Sequence, residues 1–374
     1  MQHIAILIHS LTGGGAERVT SHMAIYWADK GHKVTVLTIA STASNRYALP
    51  ENVDLHALGI AAVSANPVAG LFNNISRVKI LRKAIIDVNP DIVISMMAQA
   101  NVMAGLACRQ LPIKCIGSER NYPGNDYTGR LWGTLRKYTY RFLDTVITQT
   151  HTSEEWILKH TNARRVINIP NPLLLPLPLL EPIVTPNKPS DTKLLLGVGR
   201  LTDQKQFNHL IECFAALAEK HTQWHLTIVG EGENRDAYDK LISERNLNHR
   251  VKLIGRAGNI SDWYQAADAF ALTSATEGFP NALIEAMAHG VPCISYDCLT
   301  GPSEIIEHGI NGLLVEANNK QALTFAIDSL LGSSELQRSF AKKAVNIIER
   351  LDPEIVMSQW EAEIRRLTLE QSKT

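Results

Sequence analysis

Pro170-Asn-Pro-Leu-Leu-Leu-Pro-Leu-Pro-Leu-Leu-Glu-Pro-Ile-Val-Thr-Pro-Asn-Lys-Pro189 places seven prolines in twenty residues. Proline fixes φ and has no amide hydrogen, so this stretch sustains neither a regular helix nor a central strand. It divides the chain. On its N-terminal side, short apolar and β-branched runs at 4–8, 34–39, 92–96, 114–117, 145–148 and 166–169 alternate with segments of helical period. Beyond it the alternation resumes, with runs at 194–198, 226–229, 251–254, 269–273 and 293–296. Alternating strands and helices build a parallel sheet covered on both faces, so the expected class is α/β with two doubly wound domains. The expected division is a domain over 1–170, a proline-rich linker over 171–192 and a second domain over 193–351. A long polar helix over 352–374 follows, with Pro353 in its first turn and able to cross back to the first domain. Ligands of such sheets bind beyond the carboxyl ends of the strands, which makes a central cleft faced by both domains the expected site.

The 374 residues suit two cores, and 45% hydrophobic against 20% charged residues argues against disorder. Equal numbers of basic and acidic side chains, 37 each, disfavour a general nucleic-acid binder. That balance hides an asymmetry: residues 1–170 carry 18 basic and 11 acidic side chains, the remainder 19 and 26. Five cysteines without a Cys-x-x-Cys pair fit reduced thiols, and the thirteen histidines form no close cluster, so no metal ligands are expected. The apolar run at 3–8 lacks the basic start and cleavage site of a signal peptide. No stretch approaches the roughly 20 apolar residues of a spanning helix. The expected location is cytoplasmic.

Gly13-Gly14-Gly15 follows the first strand and opens a helix, marked by Ala16, Val19, Met23 and Trp27 at helical spacing and closed by Gly31. Backbone amides at Gly14 and Gly15, with the helix dipole behind them, favour an anion, although three glycines also simply permit a tight turn. Arg18 stands where a dinucleotide fingerprint has glycine or alanine, and the second strand ends without an acidic ribose ligand. A nicotinamide enzyme is therefore disfavoured. In the second half, Gly197-Val-Gly199-Arg200-Leu-Thr-Asp-Gln-Lys205 joins a strand to a helix. Its planar guanidinium fork and compact ammonium suit a diphosphate, with solvated surface charges as the alternative.

Glu277-Gly-Phe-Pro-Asn-Ala-Leu-Ile-Glu285 sets one glutamate before a helix over 281–289 and another inside it, with Gly290 closing the helix. A wholly helical segment would put the two about 12 Å apart, comparable to a nucleotide sugar. One carboxylate is then suited to sugar hydroxyls and the other to ribose, with free amides around Ala282 and Leu283 receiving a diphosphate. The plainer alternatives are a solvated helix face for Glu285 and a helix-dipole charge for Glu277. No Asp-x-Asp sequence offers a carboxylate pair for a divalent metal, so Arg200 and Lys205 are the expected counter-charges.

Together with Gly230-Glu-Gly232 and Gly301-Pro-Ser-Glu304, these motifs resemble the retaining glycosyltransferases of family four over nearly the whole chain. The resemblance implies the GT-B fold of two Rossmann-like domains. It also implies a nucleotide-diphosphate sugar, UDP-linked, in the C-terminal domain and an acceptor in the N-terminal one. Transfer would need no metal or cofactor and would retain the anomeric configuration through same-face attack, the leaving phosphate oxygen taking the acceptor's proton. By the same resemblance Arg200 and Lys205 bind the diphosphate, Glu285 the ribose, Glu277 with Phe279, Pro280 and Asn281 the donor sugar, and the backbone near Gly255 and Arg256 the base. Many relatives carry a histidine after the fifth N-terminal strand. Here the strand runs into Ser118-Glu119-Arg120-Asn121, which resembles the branch acting on polyprenyl-diphosphate-linked glycans and leaves both Glu119 and Arg120 as candidates for that role. The expected reaction is transfer of a hexose or N-acetylhexosamine to a lipid-linked glycan in bacterial surface polysaccharide or glycoprotein assembly. A nucleotide-sugar epimerase and a non-catalytic nucleotide-sugar-binding module are the alternatives.

Arg120, Arg130, Arg136, Lys137 and Arg141 interleave with Tyr127, Trp132, Tyr138, Tyr140 and Phe142, a mixture suited to peripheral contact with an anionic membrane on the inner face of the cell. A second cluster, Arg77, Lys79, Arg82 and Lys83, is suited to an acceptor diphosphate. Solvated helix faces over core aromatics explain both clusters equally well.

Overall fold

The computed structural model describes residues 1–41, 47–61, 67–124 and 129–371. Two compact units emerge. The first combines Met1–Pro172 with Glu354–Thr374, and the second is Leu173–Pro353.

In the first unit, β1 (His3–Ile8), β2 (Lys33–Thr38), β3 (Val53–Ala57), β4 (Ile92–Met96), β5 (Lys114–Ser118), β6 (Thr145–Thr148) and β7 (Val166–Asn168) form one sheet in the order β3-β2-β1-β4-β5-β6-β7. All of its pairings are parallel. Strand β1 shows why an unbroken apolar run was required: Ile4, Ile6 and Ile8 enter one core with Val19, Met23 and Trp27, while Ala5 and Leu7 enter another with Leu81, Ile85 and Ala104. A strand buried on both faces alternates between two cores rather than between core and water. The helix Gly15–Asp29 ends as expected, with Gly31 at φ +84° and the His32 amide returning 3.0 Å to the Trp27 carbonyl.

The second unit holds β8 (Lys193–Val198), β9 (Trp224–Val229), β10 (Val251–Gly255), β11 (Ala269–Leu272), β12 (Cys293–Asp297) and β13 (Gly312–Glu316) in the order β10-β9-β8-β11-β12-β13. This sheet is also parallel. Leu195 faces one core with Leu226 and Ile228, and Leu194 and Leu196 face the other with Phe270 and Leu272. Strand order reverses between β1 and β4 in the first sheet and between β8 and β11 in the second. These are the points where such sheets leave room for a ligand.

Two strands, β3 and β13, were not expected. Both lie at sheet edges, where one face stays wet, so Val53-Asp-Leu-His-Ala57 and Gly312-Leu-Leu-Val-Glu316 lack the continuous apolar signal of the central strands. The proline-rich stretch also departs from the expectation of a linker, because from Leu173 onward it belongs to the second unit. Leu173 and Leu177 are buried in that unit's core, the Leu180 amide reaches the Gly258 carbonyl (3.2 Å), and the Gly258 amide reaches the Pro182 carbonyl (2.7 Å). A Cβ at residue 258 would lie 1.6 Å from the Leu180 carbonyl oxygen, so only glycine permits this approach. The C-terminal helix Pro353–Gln371 is not the polar helix expected: Val356, Met357, Trp360, Ile364 and Leu367 form an apolar stripe packed in the first unit's core. The Trp360 ring meets Trp27 edge-on at 6.3 Å.

Candidate active site

The carboxyl ends of β8 and β11 lie side by side at the reversal point of the second sheet, and each feeds a loop toward the other. The Thr273 hydroxyl donates to the Lys205 carbonyl (2.8 Å), the Ala275 amide to the Gln204 carbonyl (2.8 Å), and the Gln204 side-chain amide to the Thr276 carbonyl (2.8 Å). On this frame Lys205 Nζ meets Glu277 Oε1 at 2.6 Å, with both side chains largely shielded from water. The Thr300 hydroxyl bonds the Glu277 carbonyl and holds the backbone from below. Glu277 is therefore a paired carboxylate at the loop tip, not a bare helix-dipole charge. Behind the loop, the Gly230 amide bonds the Gly255 carbonyl (2.8 Å) and the Leu201 amide the Glu231 carbonyl (3.0 Å). At φ +155°, a Cβ on residue 230 would stand 1.8 Å from the Gly199 carbonyl oxygen. Glycine there lets the cationic loop lie against its neighbour.

Glu285 sits on the helix Asn281–Ala288 and is 5% exposed, which removes the solvated-face alternative. The buried Tyr264 hydroxyl donates to its Oε2 at 3.1 Å. Because the chain turns helical only at Asn281, the spacing of a continuous helix does not apply to Glu277 and Glu285. Leu283 needs correction: its amide is already bonded to the Pro280 carbonyl (3.0 Å) and its side chain is fully buried, so it offers no free donor. Ala282, at the helix start, keeps that candidacy. Phe279 is buried in the core and Pro280 is also buried, while Asn281 is half-buried. Gly199 is half-buried, Gly255 is buried at the end of β10, and Arg200 and Arg256 are exposed. Thus the structure joins Lys205 to Glu277 directly. Arg200, Gly255 and Arg256 border the same sheet end, and among the described residues none of them bonds that pair.

In the first unit Gly14 and Gly15 are exposed at the start of the helix Gly15–Asp29, where no side chain caps the terminus. Glu119 and Arg120, directly after β5, are buried and diverge. Glu119 accepts the Tyr140 hydroxyl and lies 3.7 Å from the Arg136 guanidinium; burial raises its pKa, with Arg136 and Tyr140 partly opposing the rise. Arg120 instead donates to the Asn171 side-chain oxygen, which also accepts from Gln149.

These positions correct much of the expected membrane cluster. Arg120, Arg136 and Tyr140 point inward, Arg136 to the Pro123 carbonyl (2.5 Å) and over the Trp156 ring. Tyr127 lies outside the described residues. Leu131 and Tyr138 remain exposed on the helix Arg130–Thr139, with Lys137 over the Tyr138 ring. In the other cluster Arg82 is committed to the Ala107 and Arg109 carbonyls at 2.6 and 2.8 Å and closes the helix Ala98–Cys108, while Lys83 pairs with Asp87. Sequence reasoning missed Tyr264, Gln204, Thr273, Thr300, Gln149 and Asn171. Each is an ordinary polar residue whose role comes from a distant partner, so no local spacing marks it.

The comparisons agree with this architecture. Residues 13–173 match the family described as Glycosyltransferase Family 4, and residues 183–346 the family described as Glycosyl transferases group 1. An uncharacterized glycosyltransferase of Haemophilus influenzae is 28% identical over 96% of this chain and 99% of its own length. The N-acetylgalactosamine-N,N'-diacetylbacillosaminyl-diphospho-undecaprenol 4-alpha-N-acetylgalactosaminyltransferase of Campylobacter jejuni is 27% identical over 92% of this chain and 94% of its own length. Among solved structures, the sucrose-phosphate synthase of Thermosynechococcus elongatus superposes with a TM-score of 0.85, covering 99% of this chain and 100% of that one at 20% identity. Two parallel-sheet units, motifs spread over both, and matches on either side of the proline-rich strap together make the chain a glycosyltransferase of family four with the GT-B fold.

Proposed function

We propose that the protein transfers a hexose or N-acetylhexosamine from a nucleotide-diphosphate sugar, UDP-linked, to a glycan carried on polyprenyl diphosphate, with retention of anomeric configuration. The observation that carries this reading is the shielded Lys205–Glu277 pair at the reversal point of the second sheet. Donor binding would redirect Lys205 toward the diphosphate, alongside Arg200, and free Glu277 for hydroxyls of the sugar. Glu285, held by Tyr264, would take the ribose. The acceptor hydroxyl oxygen then bonds to the anomeric carbon on the face from which the diphosphate departs. As the carbon–oxygen bond to phosphate breaks, the leaving phosphate oxygen takes the acceptor's proton. In this scheme preorganised cations stabilise the leaving group, so no metal is required.

The likeness to the Campylobacter jejuni enzyme, whose name specifies a diphospho-undecaprenol-linked acceptor, supports the acceptor class. Contact with an anionic membrane would bring the enzyme to such an acceptor. The test is turnover of a panel of sugar nucleotides with polyprenyl-diphosphate-linked acceptors, with products read by mass spectrometry and anomeric configuration by NMR. Lys205→Ala should lower kcat/KM by about 100- to 1,000-fold, the scale of losing one preorganised group at a developing anion. Chelator should leave the rate unchanged. Consumption of donor without a glycosylated product would move the protein to the epimerase reading, and binding without turnover to the non-catalytic one.

A further inference from the structure

Arg120 occupies a position that the scheme above does not use. It follows β5 directly and donates to Asn171, shortly beyond β7, which also accepts from Gln149, just beyond β6, so three adjacent strands deliver polar side chains to one end of the first sheet. Arg120 is buried, 7% exposed as a residue. Among the described residues it makes one hydrogen bond, from Nη2 to the Asn171 side-chain oxygen; its Nε has no partner, and no carboxylate lies within ion-pairing distance. Nearby Glu119 does not compensate it, because that carboxylate is engaged by Tyr140 and Arg136. Burial alone draws the Arg120 pKa down to about 10, so the group still carries its charge at neutral pH. A buried cation held only by one neutral amide is destabilising unless an anion joins it. Arginine's fork matches phosphate oxygens bidentately, and the carboxyl end of a parallel sheet is where ligands approach.

We propose that Arg120, steered by Asn171 and Gln149, is an anion seat in the first unit that takes a phosphate group of a diphosphate substrate. Glu119 is then a positioning residue that fixes the end of β5 and the Arg136 side chain. The seat itself does not depend on the glycosyl-transfer reading, but naming its occupant as a substrate phosphate rests on it.

Two measurements on the full chain test the seat without turnover. Arg120→Met removes the uncompensated charge while Gln149 continues to satisfy the Asn171 oxygen, so ligand-free Tm should rise. A fall in Tm would mark Arg120 as an ordinary structural residue and overturn the proposal. Inorganic pyrophosphate is the probe for binding, in a Lys205→Ala background that weakens the second unit's cationic loop. Millimolar pyrophosphate should raise the Tm of Lys205→Ala, and that shift should vanish in the Arg120→Met, Lys205→Ala double variant. No shift in the single variant, or an equal shift in both, overturns the seat.

Steady-state kinetics of Arg120→Lys, which keeps the charge and loses the fork, identifies the source. A KM raised about tenfold or more for the lipid-linked acceptor assigns the acceptor diphosphate, and the same change for the sugar nucleotide assigns the donor diphosphate. Unchanged KM for both overturns the assignment to substrate. If pyrophosphate binds through Arg120 but no sugar is transferred, the seat stands and the proposed reaction falls.

Discussion

Tyr264 shows how much of the site rests on side chains with no chemistry of their own. Its ring is fully buried, and its hydroxyl fixes one oxygen of Glu285 at 3.1 Å. Tyr264→Phe removes only that donor, and a hydrogen bond to a charged group contributes about 1.5–3 kcal/mol, so donor KM should rise by roughly tenfold or more with kcat little changed. Steady-state kinetics over a donor series checks this, and an unchanged KM would show that Glu285 orients itself without help. The candidate residues were legible because they stand in glycine- and proline-marked turns between a strand and a helix: cations at Arg200 and Lys205, carboxylates at Glu277 and Glu285. Their fates were less legible. Glu119 and Arg120 are neighbours in sequence, yet one is engaged by Arg136 and Tyr140 while the other bonds one neutral amide, Asn171, and nothing local foretells the difference.

At the scale of elements, central strands were read almost to the residue because a strand buried on both faces must be apolar throughout. Edge strands β3 and β13 escaped because half of each is solvated. The C-terminal helix was found but its apolar stripe was not, since the partner surface on the helix Gly15–Asp29 lies more than 300 residues upstream. Glu363 anchors that helix beside its stripe, accepting from Thr145 (2.5 Å), Arg165 (3.1 Å) and Arg366 (2.7 Å). Burial pushes its carboxyl up, but bonds from Arg366, Thr145 and Arg165 outweigh burial and hold it at about 2, against an ordinary value of 4.5. A depressed carboxyl contributes stability that is complete above its unfolded value and is lost as pH falls through its folded one. Thermal unfolding between about pH 5 and pH 2 should therefore show a loss of Tm in the wild type that is shallower in Glu363→Gln. Equal slopes would mean that the helix is held by its apolar stripe alone.

For the whole molecule, the charge division between the halves survives folding, but its use narrows. With Arg120, Arg136 and Tyr140 enclosed, the exposed members of the expected membrane-facing set in the first unit reduce, among the described residues, to Lys137, Tyr138 and Arg141, with Trp132 and Phe142 half-buried. Among the described residues no helix is long and apolar enough to cross a membrane. Any attachment through this set would be electrostatic and peripheral, so liposome flotation should recover the protein with anionic vesicles at low salt and lose it as salt rises. Failure to float at low salt would refute the contact.

The first unit takes its final helix from beyond the second unit. During synthesis at about 5–20 residues per second, ribosomes emit Leu173–Pro353 before the segment bearing Trp360, a delay on the order of ten to forty seconds. Throughout that interval Trp27 and its neighbours have no lid, while the later unit, continuous in sequence, can close on itself. The half made first is thus finished last, and nascent chains stalled before Glu354 would be the ones that chaperones hold.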